Sequence, residues 1–195
     1  MIESGQYSLP KSFGAFEDEY RCVSQGTGLS DRSFIGKLRI NGEDSLDLLN
    51  RLSTNNLESL DLGMGTATVL TTNKGRVIDF LIVSKRDDHL LALTSEDSTQ
   101  KVIDWIDLYT FVEDVQVVNF TETSAMFHLL GPNSAQSLLN ASKLVSIDMN
   151  KYESVSSYVD DIPIEICQDD LLDRLSQSGS KQLSLLPVSY THLTL

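Results

Sequence analysis

Cysteine is scarce in this chain: Cys22 and Cys167 are the two in 195 residues. They stand far apart, and no CxxC pair or Cys/His cluster accompanies them, so no zinc or iron–sulfur ligand set can be read. Two thiols in a reducing compartment is the reading that remains. Basic charge is also short, with 15 Lys plus Arg against 28 Asp plus Glu and a formal net charge of −13. An acidic surface repels phosphate backbones, which excludes generic binding to nucleic acid or to an anionic membrane. No apolar run approaches the ~20 residues of a membrane span. The start, Met1-Ile2-Glu3-Ser4-Gly5, has neither the basic nor the apolar region of a signal peptide. The chain reads as cytoplasmic. With four prolines and no Pro/Gly/Ser-rich stretch, no linker divides it. There is no GxxxxGK[ST], GxGxxG, GxSxG or HExxH, and Gly63-Met64-Gly65 reads as a turn before a strand.

What is present suffices for a core: 41% of residues are hydrophobic. Phe16, Tyr20 and Val23 recur at helical spacing, predicting a helix over 13–25 that Gly26 and Gly28 stop. Residues 34–40 alternate as a strand, Asn41-Gly42 turns, and Leu46, Leu49 and Leu52 mark a second helix. Residues 66–72 and 76–85 read as a hairpin joined by Asn73-Lys74-Gly75. Leu90 to Thr94 is a strand. Ser95 suits an N-cap, with Glu96 and Asp97 at the start of the helix that follows. Strands are expected at 115–120, 125–130 and 163–167. Gly131-Pro132 opens a helix through Ala135 and Leu138, and Asp169 caps a last one through Leu171 and Leu175. From Leu90 the order strand, helix, strand, strand, helix, strand is the ferredoxin-like split βαβ pattern. The fold class is therefore α+β, antiparallel sheets with helices.

The most informative stretch is Thr72 to Val83. It is a turn and an apolar strand with a single carboxylate, Asp79, inside it. A charge there is costly unless satisfied. The structural role open to it is to accept hydrogen bonds from the hairpin backbone or to pair with Arg76 or Arg39. The functional role is a site. His89 and His128 lack positioned partners in the sequence and read as structural. The pairs Asp160-Asp161 and Asp169-Asp170 have no evident third metal ligand, and Trp105 reads as core.

The last eight residues, Val188-Ser189-Tyr190-Thr191-His192-Leu193-Thr194-Leu195, resemble one reading frame of a transposon adapter used in sequencing libraries. Such a scar is kept out of fold reasoning. On this reading the native protein runs longer, truncation hides any later motif, and His192 carries no function.

Gly28-Leu29-Ser30-Asp31-Arg32-Ser33 resembles the GxxDxS entry of the glycine-cleavage T-protein superfamily. Asn41-Gly42-Glu43-Asp44 with Leu48-Leu49, Ser53-Thr54-Asn55-Asn56, and Lys74-Gly75-Arg76-Val77-Ile78-Asp79 follow in family order. So do Trp105-Ile106 and Leu130-Gly131-Pro132 with Ala135. The likeness is good over residues 12–140 and weak over 141–180. It implies a loose N-terminus (1–11), a folate-binding region (12–187) of two intimate α+β parts, near 12–88 and 89–187, and the adapter-like tail (188–195).

The resemblance implies tetrahydrofolate as the ligand and offers two branches. Aminomethyltransferases move a methylene group from an aminomethyl-lipoyl carrier to tetrahydrofolate and release ammonia. The YgfZ-type branch binds folate and serves iron–sulfur enzyme maturation or tRNA modification. In the transferases this strand carries two adjacent Asp residues, the second catalytic and facing folate. Asp79 matches the first and Phe80 the second. Because strand side chains alternate, the implied folate-facing row is Phe80, Ile82 and Ser84. Phe80 cannot relay a proton. The transferase run Arg-Thr-Gly-Tyr-Thr-Gly-Glu has only Tyr158, Asp161 and Glu165 reminiscent of it. The Lys-Gly-Cys motif of the YgfZ type is likewise not met. The leading expectation is a YgfZ-type folate-binding protein with iron–sulfur client proteins as partners. The alternatives are an aminomethyltransferase partnered by a lipoyl carrier, with Asp79 acting through a bulge, and a non-catalytic interaction module.

Overall fold

The computed structural model describes residues 2–4, 7–169 and 182–187. In chain order the elements are β1 (Ile2–Ser4), β2 (Tyr7–Leu9), α1 (Phe16–Gln25), β3 (Gly28–Asp31), β4 (Lys37–Asn41), α2 (Ser45–Leu52), β5 (Gly65–Thr71) and β6 (Val77–Lys85). They continue with β7 (Leu90–Leu93), α3 (Thr99–Asp107), β8 (Gln116–Asn119), β9 (Phe127–Leu130), α4 (Ser134–Ala141), β10 (Ser154–Val159), β11 (Ile162–Asp169) and β12 (Gln182–Pro187). Antiparallel sheets with helices match the expected α+β class. Among the described residues no helix is long and apolar enough to cross a membrane.

The chain forms two units, one of Ile35–Glu122 and one of Met1–Phe34 with Thr123–Leu195. The expected division near residue 88 would cut through a sheet, because β7 pairs with both β6 and β4. The short hairpin β1–β2 stands where a loose N-terminus was expected.

In the Ile35–Glu122 unit the strand order is β5-β6-β7-β4-β8, with every pair antiparallel. β7, α3 and β8 form a split βαβ, with β4 inserted between two strands that run parallel. The expected ferredoxin-like run stops there, since β9 and β10 belong to the other sheet. Strand alternation sends Leu38, Ile40, Leu70, Leu81, Val83, Leu90 and Ala92 to one side. There they meet Leu48 and Leu49 of α2 and Val102 and Ile106 of α3 in one apolar core. Trp105 packs against this core, edge-on to Tyr109. The outer edge of β5 is covered by residues 53–55. Thr54 N–H donates to Val69 O, Thr54 Oγ1 accepts Val69 N–H, and Asn55 Nδ2 donates to Ala67 O. The Ser-Thr-Asn-Asn motif thus closes a sheet edge.

Helix α3 starts at Thr99 with Ser98 at its N-cap, three residues later than the sequence predicts. Asp97 lies at φ +59°, off the helical path, and the Ser95 N–H is committed elsewhere, as shown below.

In the other unit the strand order is β10-β11-β12-β9-β3. Leu138 of α4 packs on Leu129, Ile164 and Ile166. Strand β3 was not expected, nor were β10 and β12: their serine-rich or isolated apolar positions give little alternation to read. Helix α1 begins at Phe16 because Glu19 Oε1 accepts the N–H groups of Phe13 and Gly14, ahead of the first turn. Its apolar residues Phe16, Tyr20 and Val23 remain exposed. Gly131 sits at φ +110°, where a Cβ would meet Gly26 O at 2.5 Å, so the Gly131-Pro132 turn needs glycine. The helix expected through Leu171 and Leu175, the Asp169-Asp170 side chains and the tail 188–195 lie outside the described residues.

Candidate functional site

The site implied on β6 depends on which way each side chain leaves the strand. Residue pairing is regular from Asp79 onward: Leu70 stands opposite Asp79, Val69 opposite Phe80, Ala67 opposite Ile82 and Gly65 opposite Ser84. Immediately before, Thr71 pairs with Val77, so Ile78 is an extra residue in β6. This is a β-bulge. The carbonyl of Ile78 accepts Lys101 Nζ from α3 at 2.5 Å, and Ile78 packs against the core.

Asp79 is 5% exposed and shares its face with Leu81 and Val83, which lie in the apolar core. Its Oδ2 accepts the Ser95 backbone N–H at 2.9 Å. The carboxylate therefore ties β6 to the turn between β7 and α3. This differs from the expected hairpin-backbone or arginine partner. Arg39 is opposite Leu91, which is opposite Ser84, so it leaves the sheet on the other face. The bulge precedes Asp79 and does not turn it toward that face.

Phe80, Ile82 and Ser84 occupy that other face together. Ile82 and Ser84 are buried, while Phe80 keeps 39% of its surface exposed. Ile82 is flanked by Leu93 of β7, and Lys37 of β4 stands opposite Leu93. The row thus continues into Leu91, Leu93, Lys37 and Arg39. Lys37 is fully buried, and its Nζ donates to Ile35 O at 2.9 Å. Sequence reasoning named Arg39 as a partner for Asp79, not as a cation of this face, and did not single out Lys37. The signal was available in β4: the core-facing Leu38 and Ile40 alternate with these two cations. Phe80 is the open end of this otherwise buried apolar row, where an aromatic ring can stack on a flat heterocycle.

The other candidates are placed elsewhere. His89 Nδ1, on a mostly buried ring, lies 2.6 Å from Oδ1 of the exposed Asp88. Asp160 and Asp161 form the β10–β11 turn at φ +46° and +67°, and Asp161 accepts Lys143 Nζ. Tyr158 stands opposite Pro163 on β10 and β11, and Glu165 opposite Ser156. Among the described residues no cluster of three or more His, Cys, Asp and Glu groups could hold a metal.

Residues 1–168 match the family described as the GCVT N-terminal domain. The chain is 29% identical over 160 residues to the aminomethyltransferase of Anoxybacillus flavithermus, covering 82% of this chain and 43% of that protein. It is 30% identical over 164 residues to the aminomethyltransferase of a Geobacillus species, covering 84% and 44%. The chain spans under half the length of these curated relatives. Its fold is similar to that of the glycine cleavage system aminomethyltransferase T from Bartonella henselae, with a TM-score of 0.72 at 16% identity over 87% of this chain and 44% of that one. A heterotetrameric sarcosine oxidase from a Corynebacterium gives a TM-score of 0.59 at 14% identity, over 88% and 82%. A family match spanning residues 1–168 of 195 leaves one conclusion: this chain belongs to the GCVT N-terminal domain family of the T-protein superfamily.

Proposed function

We propose that this chain is the tetrahydrofolate-binding part of an aminomethyltransferase-type protein, taking a methylene group from an aminomethyl-lipoyl carrier and releasing ammonia. The observation that carries the folate part is the shared face of Phe80, Ile82 and Ser84. Phe80 offers a ring on which a pterin stacks, and Ile82 walls the position beside it. Lys37 and Arg39 are the cations of the same face. The names of the curated relatives favour one-carbon transfer over the YgfZ-type role that the sequence first suggested.

A second reading is favoured by one specific observation. The only carboxylate of β6 faces the core and is engaged by Ser95 N–H, so the proton-handling group that the family resemblance implies has no counterpart at Phe80. Folate binding without transfer, as in the YgfZ-type branch with iron–sulfur clients, is this second reading.

Tetrahydrofolate titration followed by single-turnover ammonia release from an aminomethyl-lipoyl carrier separates them. Saturable binding that Phe80→Ala weakens about 3- to 10-fold supports the folate face. Ammonia release by the wild type supports transfer. Binding without release, with release appearing in Phe80→Asp, supports the second reading. No binding at high micromolar tetrahydrofolate overturns both.

A further inference from the structure

The unit that contains β3 and β9 holds a second polar arrangement that the folate reading does not use. β3 and β9 are antiparallel neighbours, with Ser30 opposite His128. The ladder continues beyond β3, since Arg32 N–H donates to Met126 O at 2.8 Å. Arg32 and His128 are therefore diagonal cross-strand neighbours on one sheet face, a spacing of about 7–8 Å within reach of long side chains. That face is opposite the one from which Leu129 enters the apolar core with Leu138.

Two nitrogens are left over there. His128 is 3% exposed, and its Nε2 is buried with no hydrogen-bond partner among the described residues. The Nε of Arg32 is buried and equally without a partner. Buried polar atoms in native proteins are normally satisfied, so a pair of orphans on adjacent strands calls for an occupant. The guanidinium lies 5.1 Å from the Phe34 ring centre, which fixes the plane of the fork. The Arg32 Nε–H and its fixed positive charge, with a His128 Nε2 that donates once it is protonated, match a planar, monoanionic oxygen pair.

We propose that Arg32 and His128 form a subsite for a single carboxylate group. Other charged or titratable groups on the same sheet face, by register, are Cys167 and Glu165 of β11 and Tyr158 of β10; Asp169 of β11 shares that register, its side chain lying outside the described residues. Glu165 stands in the Arg32 row but three strands away, about 14 Å at the usual strand spacing, so it is not the occupant. Burial, aided by the nearby Arg32 charge, holds the His128 imidazole down to about 4. A bound carboxylate offsets both effects, so occupancy pulls a proton onto His128. This subsite is independent of where folate sits.

The test follows the His128 imidazole resonance by NMR, assigned by its loss in His128→Gln. Sodium acetate is the probe, sodium chloride at equal ionic strength the control, and inorganic phosphate the third arm. The expected result is a saturable, one-site acetate response with the His128 pKa raised by at least one unit, a tenfold linkage. Arg32→Gln abolishes the response, and Arg32→Lys retains part of it. Identical titrations in acetate and chloride overturn the proposal in the wild type alone. So does a response that survives Arg32→Gln unchanged, or a phosphate response stronger than that to acetate.

Discussion

The Asp79 carboxylate accepts the Ser95 backbone N–H at 2.9 Å from within the apolar face of β6. The one acid in the strand is thereby a clamp between β6 and the turn that launches α3. Removing it breaks a part-buried hydrogen bond to a charged acceptor, which costs about 1–3 kcal/mol. Asp79→Ala should lower the urea midpoint accordingly, and Asp79→Asn less, because an amide oxygen still accepts. Phe80→Ala, on the half-open face, should move stability by about 1 kcal/mol or less. Urea melts of the three variants check this ordering. An Asp79→Ala melt equal to wild type removes the clamp.

A second anchor is Glu113, at the end of the loop after α3. Its Oε2 accepts the N–H groups of Phe111 and Val112, and its Oε1 meets Arg51 at 3.1 Å. The two N–H donors, with Arg51 behind them, hold the carboxyl down to about 2. The folded value lies below the ordinary 4.5, so the anchoring is complete above that pH and is lost as pH falls through about 2. Glu113→Gln should mimic acid at neutral pH. Amide hydrogen exchange at Phe111 and Val112 should accelerate severalfold in that variant, while exchange in the β6 core stays unchanged. Equal exchange rates in both proteins would show that water serves those amides as well.

Much of the β6 face was legible in the sequence because period two is unambiguous in Asp79 to Ser84 once one residue is placed, while the bulge at Ile78 was not. The Ser95 contact was not legible. It joins residues 16 apart through a backbone donor, and nothing in the Ser95-Glu96-Asp97 composition separates a helix cap from a turn clamped by a distant acid. The two units were misjudged for a related reason. Sequence order suggests a cut where a charged turn stands at Asp87-Asp88, yet β4 pairs with β7, a partner about fifty residues later in the chain. The Arg32–His128 diagonal is of the same kind. Its partners lie on strands whose pairing only the fold reveals, and β3 is too short to announce itself by alternation.

His128 supplies a prediction on acid stability that stands whether or not its subsite is occupied in the cell. Burial lowers its value from 6.5 to about 4 in the folded chain. Between those values the unfolded chain binds more protons, so stability falls as pH drops from 6.5 to 4 and the loss is complete below both. The full difference amounts to about 3 kcal/mol. Chemical denaturation in chloride buffers free of carboxylate should show this slope, and His128→Gln should flatten it. A wild-type profile flat across this window would mean that the imidazole is hydrated in the fold.

Gly42 closes the turn between β4 and α2 at φ +110°, and a Cβ built there would lie 1.9 Å from the carbonyl oxygen of Asp114. The same corner is held by Asp44 Oδ2, which accepts Asp114 N–H at 2.7 Å, and by Glu43 N–H, which donates to Asp114 Oδ2 at 3.3 Å. The backbone of the α3–β8 loop therefore cannot withdraw without breaking these bonds. An alanine at this position meets both the left-handed penalty and a backbone clash. Gly42→Ala should cost about 2 kcal/mol or more. Gly75 has a positive φ of +71° but open space around it, so Gly75→Ala should cost about 1 kcal/mol, the conformational penalty alone. Thermal melts of the two variants separate clash from strain. Equal losses at Gly42 and Gly75 would mean that the Asp114 corner yields readily.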